Sequence, residues 1–172
     1  MKSYIKILMV ILTIFSIFFI INPAFSQSLK GYTTFCVEEV KVNPSVPQMY
    51  GPILQDAIYR QVARYSGKYG WFNNFSKGKP ATPNGVLIAK AQITSYSPPT
   101  PGKRIGKSFI PGGEWFGSCS VQFEVQFIDA ATGKIIFTKR YDSKSTGTND
   151  TVEYAIERGG EYVAKTIYRH WR

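Results

Sequence analysis

Cys119-Ser-Val-Gln-Phe-Glu-Val-Gln-Phe-Ile-Asp129-Ala-Ala-Thr-Gly133-Lys-Ile-Ile-Phe-Thr-Lys-Arg-Tyr141 is the stretch that decides the fold. Cys119, Val121, Phe123, Val125 and Phe127 fall on one side of a period of two, with Ser120, Gln122, Glu124 and Gln126 on the other. That alternation predicts a strand with one buried face. Asp129 can accept backbone N–H bonds at a turn start and Gly133 can take a positive φ, so the chain reverses into a second strand from Ile135 to Tyr141. The unit is a β-hairpin.

Working outward toward the C-terminus, Asp150 with Glu153 three residues on can cap a helix. Val152, Ile156, Gly159, Val163, Ile167 and Trp171 form its apolar stripe, and Gly159-Gly160 predict a close approach of that helix to the sheet. Working toward the N-terminus, Leu87, Ala89, Ala91 and Ile93 alternate with Ile88, Lys90, Gln92 and Thr94, a second strand with one buried face. Tyr69 to Pro83 is rich in Gly, Asn, Pro and Lys and has room for one short edge strand at most. Before it, Gly51-Pro52 opens an amphipathic helix with Ile53, Leu54, Ala57, Ile58, Val62 and Tyr65 on one face, expected to end at Gly67. Thr33 to Asn43 is β-rich and closed by Pro44 and Pro47. Strand, helix, strand, hairpin, helix predicts an α+β two-layer domain: about four largely antiparallel strands with two helices packed on one face.

The chain has 172 residues, 21 Lys+Arg, 11 Asp+Glu, one His and two Cys. One His and two Cys exclude a four-ligand Cys/His zinc site and a four-cysteine iron–sulfur site, and nothing implies a metal or cofactor. Lys2 and Lys6 precede an apolar run from Ile7 to Ile21, followed by Pro23-Ala24-Phe25-Ser26, the pattern of a secretory signal peptide over residues 1–26. The run spans only about 22 Å as a helix, short of the roughly 30 Å hydrocarbon core, so no membrane span is expected once it is cleaved. An uncleaved anchor is the alternative. Residues 27–172 then form a single exported domain, periplasmic or extracellular. Two lysines and no acid lie in residues 1–26, so the remainder carries 19 bases against 11 acids, a net charge of +8. In an exported chain that charge directs expectation toward envelope proteins, anionic envelope polymers or lipid head groups, and away from nucleic acid. It leaves the oligomeric state open. An oxidising compartment makes Cys36–Cys119 a disulfide candidate, closing a loop for which chain entropy gives about 4.5 kcal/mol; two reduced, buried thiols are the alternative.

Residues 98–117 form a long, basic, Gly/Pro-rich loop between two strands. Lys103, Arg104, Lys107 and Trp115 are its candidate binding residues, because recognition groups concentrate on loops held by rigid strands. Gly102-x-x-x-Gly106-Lys107-Ser108 falls one residue short of a phosphate loop and runs into Phe-Ile-Pro rather than a helix. His170, the sole imidazole, sits near a helix end, where it complements the dipole or meets solvent. Glu38 and Glu39 are consecutive on a strand and point to opposite faces, and Glu124 and Asp129, five apart, do likewise. No acid–base pair for hydrolysis emerges, and no catalytic residue is assigned.

Leu87-Ile88-Ala89-x-Ala91-x-Ile93-Thr94-x-Tyr96, Arg104-x-Gly106 and Val121-x-Phe123-x-Val125-x-Phe127-x-Asp129-Ala130-x-Thr132-Gly133-Lys134 resemble an uncharacterised family of bacterial envelope proteins, secreted or lipid-anchored, classed as a domain of unknown function. The element order is more distantly similar to the periplasmic domain of curli-secretion lipoproteins and of lipoprotein activators of cell-wall synthases. The resemblance implies a non-enzymatic accessory or binding protein of the envelope and carries no catalytic residues over. An extracytoplasmic polyanion or nucleic-acid binder, and a carboxylate-dependent envelope hydrolase, are the alternatives.

Overall fold

The computed structural model describes residues 28–99, 119–146 and 149–171. The signal peptide expected over residues 1–26, most of the loop expected over 98–117 and its candidates Lys103, Arg104, Lys107 and Trp115 lie outside the described residues.

Six strands and two helices make up the domain: β1 (Thr34–Val37), β2 (Lys41–Val42), α1 (Tyr50–Tyr69), β3 (Asn74–Lys77), β4 (Val86–Ser97), β5 (Ser120–Asp129), β6 (Ile135–Lys144) and α2 (Val152–Trp171). One mixed sheet runs β3-β1-β4-β5-β6, with β2 beside β4, and both helices pack on one face of it. The α+β two-layer expectation holds. The three long strands β4, β5 and β6 are antiparallel, as expected. The short strands are not: β1 pairs in parallel with β3 and β4, and β2 pairs in parallel with β4. The cause is that α1 carries the chain back from β1 to β3, a crossover that demands parallel neighbours.

The hairpin forms as the sequence dictates. Asp129 accepts the Thr132 N–H at 2.8 Å and its hydroxyl at 3.0 Å, and Gly133 sits at φ 69°. The expected strand from Thr33 to Asn43 is real but broken. Val37 opposes Ala89 and Lys41 opposes Gln92, so four steps on one strand face three on the other. Unbroken alternation from Phe35 and Val37 would bring Glu39 to the helix side; the extra residue leaves Glu39 exposed and buries Val40 instead.

Helix α1 buries Leu54, Ala57, Ile58 and Val62 at the expected spacing but runs past Gly67 to a left-handed cap at Gly70, φ 68°. Ser66 sets that stop, since its hydroxyl donates to the Phe72 carbonyl at 3.0 Å and accepts the Phe72 N–H at 2.7 Å. Helix α2 is capped one residue later than expected: the Thr151 hydroxyl accepts the Tyr154 N–H at 3.1 Å. Asp150 instead ties the helix start to the sheet, accepting the Ser145 hydroxyl at 2.6 Å and the Cys119 N–H at 3.2 Å.

The glycine pair serves two surfaces. A methyl carbon placed on Gly159 would lie 2.7 Å from the Phe123 ring, and one on Gly160 would lie 2.6 Å from the Ala57 backbone. The first lets α2 settle on the sheet and the second lets it touch α1. Around this contact the core is apolar, with Phe35, Leu54, Ile58, Leu87, Ile93, Phe123, Phe127, Ile156 and Ile167 all buried.

Both cysteines are buried, and no disulfide joins them. Cys36 opposes Ile88, whereas Cys119 precedes Ser120, which opposes Ser97. Nine residues of β4 separate those positions, about 30 Å at strand rise, far beyond the roughly 7 Å Cα limit of a disulfide. The two also sit in different clusters, Cys119 in the core under the helices and Cys36 with Val86 and Ile88 on the other face. The expected Cys36–Cys119 bridge is therefore corrected to two buried thiols.

Candidate functional site: the open face of the sheet

Helices cover one face of the sheet; the alternate side chains of β2, β4, β5 and β6 are left on the other. Register groups them into transverse rows. Lys41, Gln92, Glu124 and Arg140 are mutual partners across β2, β4, β5 and β6. A second row holds Lys90, Gln126 and Thr138, and a third holds Ser95, Gln122 and Asp142. Neighbouring strands lie about 4.8 Å apart, so the first row is about 14 Å long. Each row has a glutamine at or next to its centre, and a primary amide supplies both donors and acceptors. Shallow depressions sharing Gln92, Lys41, Lys90 and Glu124 run together across these rows.

Local contacts fix the polar groups. The Arg140 guanidinium donates to Glu124 at 2.8 Å, although the Arg140 side chain is 88% exposed. Lys90 lies 3.8 Å from Glu38. A register shift at Thr94 turns its hydroxyl to the Gln122 carbonyl at 3.1 Å, while Ser95 donates to the Gln122 side chain at 3.1 Å. Lys41, Lys79, Lys90 and Arg140 on this face are matched by Glu38, Glu39, Glu124 and Asp142. The face is thus electrically balanced, built to exchange hydrogen bonds rather than to hold a dense anion.

At the hairpin end of this face Cys36, Val86 and Ile88 form a small apolar cluster, and the Cys36 thiol donates to the Gly78 carbonyl at 2.8 Å. Burial pushes that thiol up from its ordinary range. Beside the cluster, the Tyr32 hydroxyl donates to Asp129 at 2.9 Å. The Thr132 N–H, then Tyr32, hold the Asp129 carboxyl below the usual range, and burial followed by Asp129 pushes the Tyr32 hydroxyl up to about 12. A depressed carboxyl contributes stability that is full above its unfolded pKa and lost as pH falls through the folded value. Asp129→Asn is accordingly expected to lower the melting temperature at neutral pH and to converge on the wild type in acid; parallel curves in a pH series would show that the carboxylate contributes nothing.

The carboxylates singled out by the sequence are apart or occupied. Glu124 is held by Arg140 and Asp129 by the turn and Tyr32. Glu38 and Glu39 border one depression, because the break between β1 and β2 suspends strict alternation there. His170 does not meet solvent as a free group. Its ring stacks on Phe137 at 4.1 Å, and its Nδ1 lies 2.9 Å from the Thr166 carbonyl. No group of three or more His, Cys, Asp or Glu suited to a metal ion occurs among the described residues. No helix among them is long and apolar enough to cross a membrane.

No family model matches the chain, and no curated protein matches it. Solved structures do. A PelC dodecamer from Paraburkholderia phytofirmans superposes with a TM-score of 0.53 at 10% identity, covering 80% of this chain and 87% of that one. A DUF330 protein from Xanthomonas campestris superposes with a TM-score of 0.50 at 9% identity, covering 86% of this chain and 89% of that one. At such identities the likeness is one of architecture: the chain has a fold like those of PelC and the DUF330 protein.

Proposed function

We propose that the protein is an exported, non-catalytic accessory or binding protein of the bacterial envelope that engages its partner through the open face of the sheet. The observation that carries this is the set of three transverse rows, in which Gln92, Gln122 and Gln126 stand among paired charges with no helix or strand over them among the described residues. Amides and fixed ion pairs of balanced charge suit reversible recognition of a polar surface, with specificity set by hydrogen-bond geometry. The signal-like amino terminus and the resemblance to envelope domains support the location.

Crosslinking in the native host tests it. The triple variant Gln92→Ala/Gln122→Ala/Gln126→Ala is expected to fold with an almost unchanged melting temperature and to lose the adducts that the wild type forms. The comparison arm is Lys103→Ala/Arg104→Ala/Lys107→Ala in the basic loop. Adducts that survive the glutamine changes but vanish with the loop changes would overturn the sheet-face reading.

A further inference from the structure

The open face is balanced, so the positive charge of the chain resides elsewhere. Much of it is at one end of the domain, where α1 and α2 finish, β6 begins and the chain enters β1. Lys30, Lys68, Lys134 and Arg169 are all exposed there. None of the four makes an ion pair among the described residues. The acid among them, Asp129, is engaged by Tyr32 and Thr132. Contacts establish that these groups share one end: the Leu29 N–H donates to the His170 carbonyl at 3.2 Å, Tyr69 and Tyr168 lie 4.8 Å apart, and the Asp129 N–H donates to the Lys134 carbonyl at 2.9 Å.

Apolar and aromatic groups are interleaved with the bases. Tyr69 is 41% exposed and Ile135 48% exposed, two of the three large apolar residues left open to solvent among the described residues. Tyr69 stacks on Trp71 at 5.5 Å, and Trp71 stacks on Trp171 at 6.1 Å. The Lys68 ammonium lies 5.1 Å over the Tyr69 ring. Trp71 is buried and Trp171 half-buried, so the pair backs the Tyr69 ring; an exposed tyrosine so supported and rimmed by lysine and arginine is a composition that settles at a membrane–water boundary, where the ring enters the head-group layer and the cations meet lipid phosphates.

The chain path agrees. Ile21, the end of the apolar run, is seven residues before Ser28, and seven residues reach at most about 24 Å. A chain whose apolar run is held in the bilayer therefore presents this end to the lipid, and a cleaved chain starts beside it. An acidic protein would satisfy the charges alone; the exposed Tyr69 and Ile135 and the entry of the chain favour lipid.

We propose that this aromatic and basic end docks on an anionic lipid surface. It is a different surface from the sheet face, so either assignment can fail without the other. The full chain carrying Trp115→Phe, which leaves Trp71 and Trp171 as the only indoles, is mixed with phosphatidylglycerol vesicles containing brominated acyl chains, and with phosphatidylcholine vesicles brominated alike. Indole emission should be quenched on the anionic vesicles and recover in high salt. Each base near an anionic surface is worth about fivefold in affinity, so Lys30→Glu/Lys68→Glu/Lys134→Glu should lose more than about 100-fold. Lys139→Glu/Lys144→Glu/Lys165→Glu, the same charge change on the flanks, should lose less than about tenfold. Circular dichroism confirms that both fold. Absence of quenching on anionic vesicles, quenching indifferent to the first triple, or equal losses in the two triples would each overturn the assignment.

Discussion

Gly160→Val is expected to destabilise the protein by about 3 kcal/mol, seen as a lower urea midpoint at unchanged slope. A β-carbon at this position would meet the Ala57 carbonyl group at 2.6 Å, and backbone atoms have no rotamer by which to yield. The helices must separate instead. Separation also strains the polar seam along their exposed edge, where Arg60 donates to Glu157 at 2.7 Å, Gln61 donates to the same carboxylate, and Tyr65 donates to Glu161 at 3.1 Å. Gly67→Ala is the control. Nothing lies within 4 Å of a β-carbon there, so that change should stabilise α1 by about 0.5–1 kcal/mol through propensity. Equal effects of the two substitutions would mean that the helices do not touch at Gly160.

Phe123→Ala should cost about 4 kcal/mol. Its ring is 1% exposed, stacks on Tyr141 at 5.0 Å and fills the hollow beneath Gly159. The pairing with Gly159 makes the prediction sharper than ring loss alone. Gly159→Ala destabilises the wild type, because its methyl meets the Phe123 ring. In a Phe123→Ala background the same methyl partly refills the cavity and recovers up to about 1 kcal/mol of helix propensity. A double-mutant cycle should therefore give a coupling of about 1–3 kcal/mol, and simple additivity would place the ring and the glycine out of contact.

Why some of this was legible in the sequence and some not is a matter of range. The hairpin depends on residues adjacent in the chain, and its period of two, Asp129 and Gly133 state it completely. The helical stripes are equally local, and Gly159-Gly160 announced a close approach, although only packing reveals that one glycine serves the sheet and the other serves α1. Parallel pairing of β1 with β3 and β4 is invisible locally, since four residues such as Asn74–Lys77 hold too little pattern to declare a strand. The break after Val37 hides likewise, because its signature is a mismatch with a strand about fifty residues away. The expected end of α1 at Gly67 falls three residues short of the cap at Gly70, because Ser66, which sets the stop, acts by hydrogen bonds to Phe72.

The candidate site was half legible. Gln122, Glu124 and Gln126 were recognisable as the polar side of a strand, and so were Lys90, Gln92 and Thr94. That Gln92 shares a row with Glu124 and Arg140 follows from the register of β4 on β5 and from the irregularity between Phe127 and Ile128 that resets β6 after the turn. The cysteines misled for a related reason. Compartment chemistry says that two thiols can bond, but only topology says that they lie on different faces near opposite ends of β4.

The sheet order has a temporal cost. β1 is the first strand to leave the ribosome, yet in the finished sheet it lies between β3 and β4 and is hydrogen-bonded on both sides. Roughly fifty residues must be added before its partner Ala89 exists, about 3–10 s at 5–20 residues per second. Throughout that interval Phe35-Cys36-Val37 is an apolar segment with two open edges, able to pair with any extended chain it meets. The meander β4-β5-β6 waits less, since each strand pairs with the next one to emerge. Misassembly of the emerging chain is thus expected to concentrate in the first strand, and a holding chaperone that covers residues 34–37 until β4 arrives is expected to raise the yield of folded protein without changing its stability.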